Sequence, residues 1–474
     1  MGGGLFSALN AARTSLEVNQ KSIEIVGNNI SNVNTPGYSR QSATLSTYPA
    51  VNFGDFFVGQ GVKVSDVRRD HDVFVTNQLR DKVVDLGLFN GQTQSLNELE
   101  RIFNISEENI ATDVDRFFDS WQELSASPSD LVLRDIVIQR GELLSTNFNN
   151  TANDLQTVRE NINDTIVSKV SAINSKIEEV ADLNQTIFNI EIRGQTANSA
   201  RDKRDTLANE LAAALGAESY ESPNGMLSVN LPGGLPLVQG TEAMTIEPVS
   251  SGADMDLVLH AGGVTRSINE RHLGGEFQGM LEMRDNFIPA LRDDLDRLAY
   301  EISSQVNLQH AAGVGLDDST GLSFFSGPTA ASTTPPAPLP ADYLNAARNM
   351  SVVLADSNQV AAGMGSPAAP GDNRNALTIS NIGETYLVGG IDDFNSYYGK
   401  MTSRVGIRTN QNELNFQGSQ DAVNQLENMR DGLAGVSLEE EMIDLIVYQR
   451  GFESSAKFLS TIDEMMGSLI NIRR

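Results

Sequence analysis

Cysteine is absent from this chain, which excludes disulfides, thiolate metal ligands and cysteine nucleophiles. Basic residues are scarce. There are 34 Lys and Arg against 62 Asp and Glu over 474 residues, giving a formal net charge of −28 with no Lys/Arg cluster to offset it. A surface this acidic repels nucleic acid and anionic lipid, so neither nucleic acid nor membrane is expected as a partner. No run of roughly twenty apolar residues exists to span a bilayer. The N-terminus lacks the basic n-region and small-residue cleavage site of a secretory signal, and Phe6 stands where a myristoylation motif needs Ser or Thr.

Chemistry is equally thin. The four histidines, His71, His260, His272 and His310, are scattered and form no ligand spacing. Gly59-Gln60-Gly61 lacks the third glycine of a dinucleotide loop, and no P-loop or nucleophile elbow occurs. Asp293-Asp294 and Asp317-Asp318 fall outside any EF-hand pattern and read as solvated carboxylates. Aromatics, 6% of the chain, are too few for stacking platforms. No catalytic residue, metal ligand or cofactor site is expected.

What is present is helical periodicity. Leu5, Leu9, Ala12, Leu16, Asn19, Ile23, Val26 and Ile30 recur at steps of three and four, a heptad seam. Glu17 is placed to reach Lys21 one turn on. This helix runs into an Asn-rich stop ending at Asn34, Thr35, Pro36, Gly37 and Tyr38, which cannot continue it. Extended chain follows around residues 43–47 and 62–67, then helices over about 72–103 and 112–124. From 130 to 192 no proline interrupts the helical period, and one helix of that length is about 90 Å long. Another helix over 201–215 ends at Gly216, in the position of a C-cap glycine.

The period then switches to that of strands. Pro223-Asn224-Gly225 and Pro232-Gly233-Gly234 bracket short strands at 226–231 and 235–238, with more at 244–249, 255–259 and 264–268. Helix resumes over 274–310, kinked or divided at Pro289. Residues 313–373, rich in Gly, Ala, Ser and Pro, read as a linker with a very small β module around Val352-Val353-Leu354. A polar helix over 392–429 needs neighbours to be stable. The last helix opens with a capping box, Ser437 followed by Glu440, and carries its own seam: Met442, Leu445, Tyr448, Phe452, Ser455, Leu459, Ile462, Met466 and Leu469. Glu439, Glu440 and Glu441 stand at its positive end and Arg473 and Arg474 at its negative end. Two matching seams at opposite ends, each marginal alone, are expected to pair with each other and with copies of themselves.

The expected fold is therefore mainly α: an elongated helical bundle stem with discontinuous terminal coiled-coil helices and small β insertions. Residues 1–42 with 437–474 form the terminal domain. Residues 43–326 with 374–436 form the stem carrying the β insertion at 217–268, and 327–373 form a small outer module.

The run Asn28 to Gln41 (NNISNVNTPGYSRQ) resembles the N-terminal signature of the flagellar axial proteins, the rod, hook and hook-associated family. Its C-terminal counterpart follows in Gly435–Met442, Tyr448-Gln449-Arg450 and Thr461–Met466. The long stem and the segment from Gly274 to Gly313 are most similar to the hook-associated members of the first hook–filament junction. Gly451-Phe452-Glu453 departs from the family pattern. The resemblance implies a non-enzymatic extracellular protein of the bacterial flagellum, exported without a cleavable signal through the flagellar type III apparatus. It implies as partners the hook protein, the second hook–filament junction protein, copies of itself, and a dedicated export chaperone on the helix from Ser437 to Ile472. A secreted hydrolase or adhesin on an axial-protein export tail, or another rod or hook component, is the alternative.

Overall fold

The computed structural model describes residues 2–52, 57–103, 109–252, 254–268, 270–326, 343–365, 367–386 and 388–472. The first helix, α1 (Gly2–Ser31), is followed by a β-hairpin of β1 (Gln41–Thr47) and β4 (Val62–Arg69). A two-residue ladder, β2 (Val51–Asn52) with β3 (Phe57–Val58), extends the hairpin toward its tip. Ser65 is the extra residue of a bulge opposite Thr44 and donates its hydroxyl to the Thr44 carbonyl.

The first three stem helices each begin where a side chain can accept from the first free N–H groups. Asp72 caps α2 (Val73–Ile102), Asn109 caps α3 (Ile110–Ala126) and Asp130 caps α4 (Leu131–Glu191). The expected unbroken helix is thus present, 61 residues long. Its buried stripe runs through Leu144, Phe148, Leu155, Ile162, Ile166, Ile173, Ile177 and Ile187, all at helical spacing. α3, α5 (Asn198–Leu215) and the sheets pack along it. α5 ends at Gly216 in the left-handed conformation, as the sequence implied.

The helical run after Gly274 is divided as expected, but ahead of the proline. α6 (Gly275–Glu282) passes through a π-helical turn, Met283–Phe287, into α7 (Ile288–Ala311). A proline ring opposes the carbonyl four residues back. Here that residue is Asp285, inside the widened turn, so Pro289 is accommodated in the first turn of α7.

The β insertion holds two more strands than its turn signals indicate, β5 and β8. β5 (Glu218–Glu221), β6 (Leu227–Asn230), β7 (Pro236–Gln239) and β8 (Glu242–Ala243) form a meander, and β9 (Thr245–Ser251), β10 (Asp254–Ala261) and β11 (Val264–Ile268) form a second. Asn184 and Asn174 of α4 tie them down. Asn184 donates to the Leu227 carbonyl at 2.8 Å and accepts its N–H at 3.0 Å; Asn174 treats Ile246 the same way, at 2.8 and 2.9 Å. A primary amide carries one donor and one acceptor in the spacing of a strand partner.

Two expectations fail here. Val352-Val353-Leu354 is not a strand: Val352 makes one isolated bridge, to Phe325. The described residues around it are not a linker either. Phe324 and Phe325 are buried against Phe117 and Trp121, with their own ring centroids 4.8 Å apart, and Met350 and Val360 are buried in the same core cluster. Asn307 holds this irregular chain by accepting from the Phe324 and Phe325 N–H groups. Small residues and turns look like linker in composition, but apolar anchors between them fill the core. The proline run 335–340 lies outside the described residues. Beyond it α8 (Arg374–Thr385), unforeseen, leads to α9 (Phe394–Ala434), which lies along α2. α10 (Leu438–Ile472) closes the chain. Arg473 and Arg474 lie outside the described residues.

Candidate assembly interface

α1 and α10 pack antiparallel as the paired seams required: Ser15 meets Ser455, Asn19 meets Gly451 and Asn29 meets Glu441. On α1 every seam position is covered. Ala12 and Val26 are buried, and Leu5, Leu9, Leu16, Asn19, Ile23 and Ile30 are half-buried. Thr14, Val18, Ser22 and Asn29 are buried as well, although they lie off that seam. They form a second stripe, covered by the β1–β4 hairpin. Gly61 of the hairpin comes so close to Ala11 and Thr14 that a Cβ there has no room, and its φ of 94° is left-handed. The signal was present as small and polar residues at four-residue steps, but such residues do not announce a buried face.

On α10 the seam runs through Glu441, Leu445, Tyr448, Gly451, Ser455, Leu459, Ile462 and Met466. Two expected members are corrected. Met442 is 49% exposed and Phe452 is 38% exposed. Glu441 and Gly451, one position earlier in each case, take their places. The reason at the second is Asn19, whose Oδ1 lies 2.6 Å from where a Cβ on Gly451 would stand, so only glycine admits the close approach. Leu445, Tyr448, Leu459 and Met466 are half-buried, and Ile462 is buried. The side chain of Leu469 lies outside the described residues. Glu17 turns back to Arg13, 3.6 Å away, instead of forward to Lys21. The capping contact of Ser437 is long, with its Oγ 3.5 Å from the Glu440 N–H.

Mid-seam is polar. Asn19 donates to the Ser15 carbonyl at 2.8 Å, and the Ser15 and Ser455 hydroxyls are 2.8 Å apart. A polar layer in a coiled coil fixes register at some cost in stability.

The Asn-rich stop explains itself in contacts. Asn32 bonds back to the Asn28 carbonyl and side chain, closing α1. Asn34 and Pro36 stay exposed, and Gly37 packs on Thr206 of α5. Tyr38 donates its hydroxyl to Asn29 Oδ1 at 2.9 Å. Burial, and then the charges of Asp202 and Glu441, push that phenol up to about 12. Arg40 donates to Glu441 at 2.6 Å, and this bond raises the guanidinium pKa above its ordinary value. Ser39, Arg40 and Asp202 were not among the expected assembly residues, and Glu441 was read only for its place at the positive end of its helix. Their partners are 163 and 401 residues away, which no local pattern encodes.

Of the histidines and paired acids, His310 and Asp294 hold neighbouring elements together. His310 is buried beside Trp121, with Nδ1 2.7 Å from the Leu322 carbonyl and Nε2 accepting the Ala361 N–H at 3.0 Å. Asp294 accepts from Tyr397 and Arg404. Among the described residues no group of three or more His, Asp or Glu could hold a metal ion, and no helix is long and apolar enough to cross a membrane.

The comparisons with known proteins follow the same division. The family described as "Flagellar hook-associated protein FlgK helical domain" matches residues 96–325. "Flagella basal body rod protein" matches 6–38, and "Flagellar basal body rod FlgEFG protein C-terminal" matches 433–472. Flagellar hook-associated protein 1 of Escherichia coli K12 is 26% identical, across 98% of this chain and 100% of its own. That of Bacillus subtilis 168 is 24% identical, across 98% of each. The solved hook junction protein FlgK of Burkholderia pseudomallei superposes with a TM-score of 0.67 at 17% identity, covering 76% of this chain and all of that one. With a terminal pair of the axial type, a stem of the hook-associated type and relatives matching nearly end to end, the chain is similar over almost its whole length to the hook-associated protein 1 members of the flagellar axial proteins.

Proposed function

We propose that this chain is a non-enzymatic structural component of the bacterial flagellum that joins hook to filament, assembling through α1 and α10 while the stem supports them. One observation carries the reading. Leu438, Met442, Ile443, Ile446 and Val447 of α10 are exposed and lie off the α1 seam. Apart from Phe6 near its start, the outward positions of α1 are instead polar: Arg13, Glu17, Gln20, Lys21 and Glu24. Five large apolar side chains within ten residues leave an apolar ridge that a neighbour must cover. Copies of the chain, the hook protein and the second junction protein are the partners in the assembled state. A dedicated export chaperone covers the ridge beforehand, and the chain is exported to an extracellular site.

The assembling residues are the two seams and the turn Asn34 to Tyr38. The terminal body (1–42 with 437–474), stem (43–326 with 374–436) and outer module (327–373) act as separate parts. A hydrolase or adhesin on an axial export tail has no observation in its favour.

The test is the double substitution Ile446→Asp with Val447→Asp in the full chain, expressed in a strain lacking its own hook-associated protein 1. The purified variant keeps the helix content of the parent, yet filaments fail to attach and swimming is lost. Full swimming with both changes in place overturns the reading.

A further inference from the structure

Three consecutive residues, Tyr38-Ser39-Arg40, each hold a different body. Tyr38 bonds Asn29 of α1. Ser39 gives its hydroxyl to Asp202 Oδ1 at 2.9 Å and its N–H to Asp202 Oδ2 at 3.2 Å, and Asp202 belongs to α5 of the stem. Arg40 reaches α10, bonding Glu441 at 2.6 Å and Asp444 at 3.3 Å, and its N–H donates to the Ala434 carbonyl at the end of α9.

The two carboxylates are the anchors. Asp202 is 6% exposed and also takes Arg69 Nη1 at 2.7 Å; Glu441 is 1% exposed and also takes Asn29 Nδ2 at 2.9 Å. Buried carboxylates persist only when paired and hydrogen-bonded, and charge-assisted bonds are short, strong and directional. Both anchors therefore demand their partners in place, and both find them in one tripeptide whose peptide units leave little slack.

We propose that Tyr38-Ser39-Arg40 is a three-way clasp, with Asp202 and Glu441 as positioning residues that fix the angle at which the α1–α10 pair leaves the stem. Pairing of the terminal helices and their docking on the stem are then one coupled event. Glu441 completes the pair only when Arg40 is presented, and Arg40 is presented only when Ser39 is seated on Asp202. The biological use of this angle rests on the junction reading above. The clasp itself is measured on the isolated chain, so its failure and that of the junction reading are separable.

The absence of cysteine allows two engineered cysteines to be the only labelling sites. Spin labels at Glu178→Cys on α4 and Lys457→Cys on α10, both exposed positions, report the stem-to-pair distance. Labels at Gln20→Cys and Lys457→Cys report the pair itself. The parent gives a single narrow distance for each. Asp202→Ala and Glu441→Gln each lose both narrow distances, because the two contacts are coupled through the tripeptide. Circular dichroism identifies folded variants, and Ser39→Ala, which deletes one hydroxyl, replaces Asp202→Ala if the latter does not fold. Glu221→Gln breaks the nearby Arg201 and Arg204 pairs without touching the tripeptide and leaves both distances narrow. A narrow stem-to-pair distance in the Asp202 and Ser39 variants overturns the clasp, as does equal broadening in the Glu221 control.

Discussion

The stem and the terminal pair are both built from antiparallel helices, but they are closed to different degrees. In the stem, α4 is wrapped by α3, α5, α7 and two sheets, and its apolar stripe is buried over nearly its whole length. Among the described residues of the terminal pair, only Ala12, Val18, Val26 and Ile462 are buried apolar residues, around a polar mid-layer. α1 is covered on two faces and α10 on one. A core that is complete within one chain makes a support. A helix pair left with an uncovered apolar ridge makes an assembling part, because its missing neighbours must come from other molecules.

The sharpest way to separate the two regions is to damage one and watch the other. Phe117 is fully buried among Phe118, Trp121, Phe324 and Phe325. Phe117→Ala is expected to cost about 3–5 kcal/mol of stem stability, read from urea unfolding by Trp121 fluorescence. A loss under about 1 kcal/mol would mean that the aromatic cluster is not a cooperative core.

Next in size is a pH effect confined to the stem. Burial lowers the His310 pKa to about 4 from 6.5. The folded state keeps the ring neutral while the unfolded chain gains a proton below pH 6.5. The stability is therefore complete above that pH and is lost as pH falls toward 4, by up to about 3 kcal/mol. The substitution His310→Gln should flatten this part of the stability–pH curve, measured by urea midpoints at pH 7 and pH 5. An unchanged slope would rule out His310 as its source.

In the terminal pair the effects are smaller and leave Trp121 untouched. Gly61→Ala puts a methyl against Ala11 and Thr14 at a left-handed position. It is expected to cost about 1–3 kcal/mol, seen as faster amide exchange across α1 and the hairpin with the stem midpoint unchanged. Asn19→Leu removes the polar layer and crowds Gly451. It should alter the register of the pair and impair junction assembly, and a fully functional junction would refute a register role. Smallest is Arg13→Ala, which deletes an exposed ion pair. It should change stability by less than about 0.5 kcal/mol, and a larger effect would show that α1 has little stability to spare.

Buried asparagine recurs in both regions and accounts for much of what composition concealed. Asn29 holds Gln41 of β1, Asn184 holds Leu227 of β6, and Asn307 holds Phe324 and Phe325, each by donating and accepting at one strand-like segment. In the sequence they are polar residues within helical stretches, and nothing local marks them as buried. They are where helices grip extended chain.

For the starts of α2 and α4 and the end of α5 the sequence alone was sufficient, because caps and breakers act within a few residues. Asp72, Asp130 and Gly216 each stand where local rules put them, and the heptad steps at both ends were enough to pair α1 with α10. Only the tertiary structure decided which of two adjacent positions on α10 enters the seam, Gly451 and not Phe452, because that choice depends on Asn19 more than 400 residues away. It likewise decided that residues 343–365 pack into the stem, that the hairpin covers α1, and that Ser39 and Arg40 join three bodies. Periodicity records how often a side chain faces inward. What it faces is set by contacts remote in the chain, and those form only when the whole molecule folds.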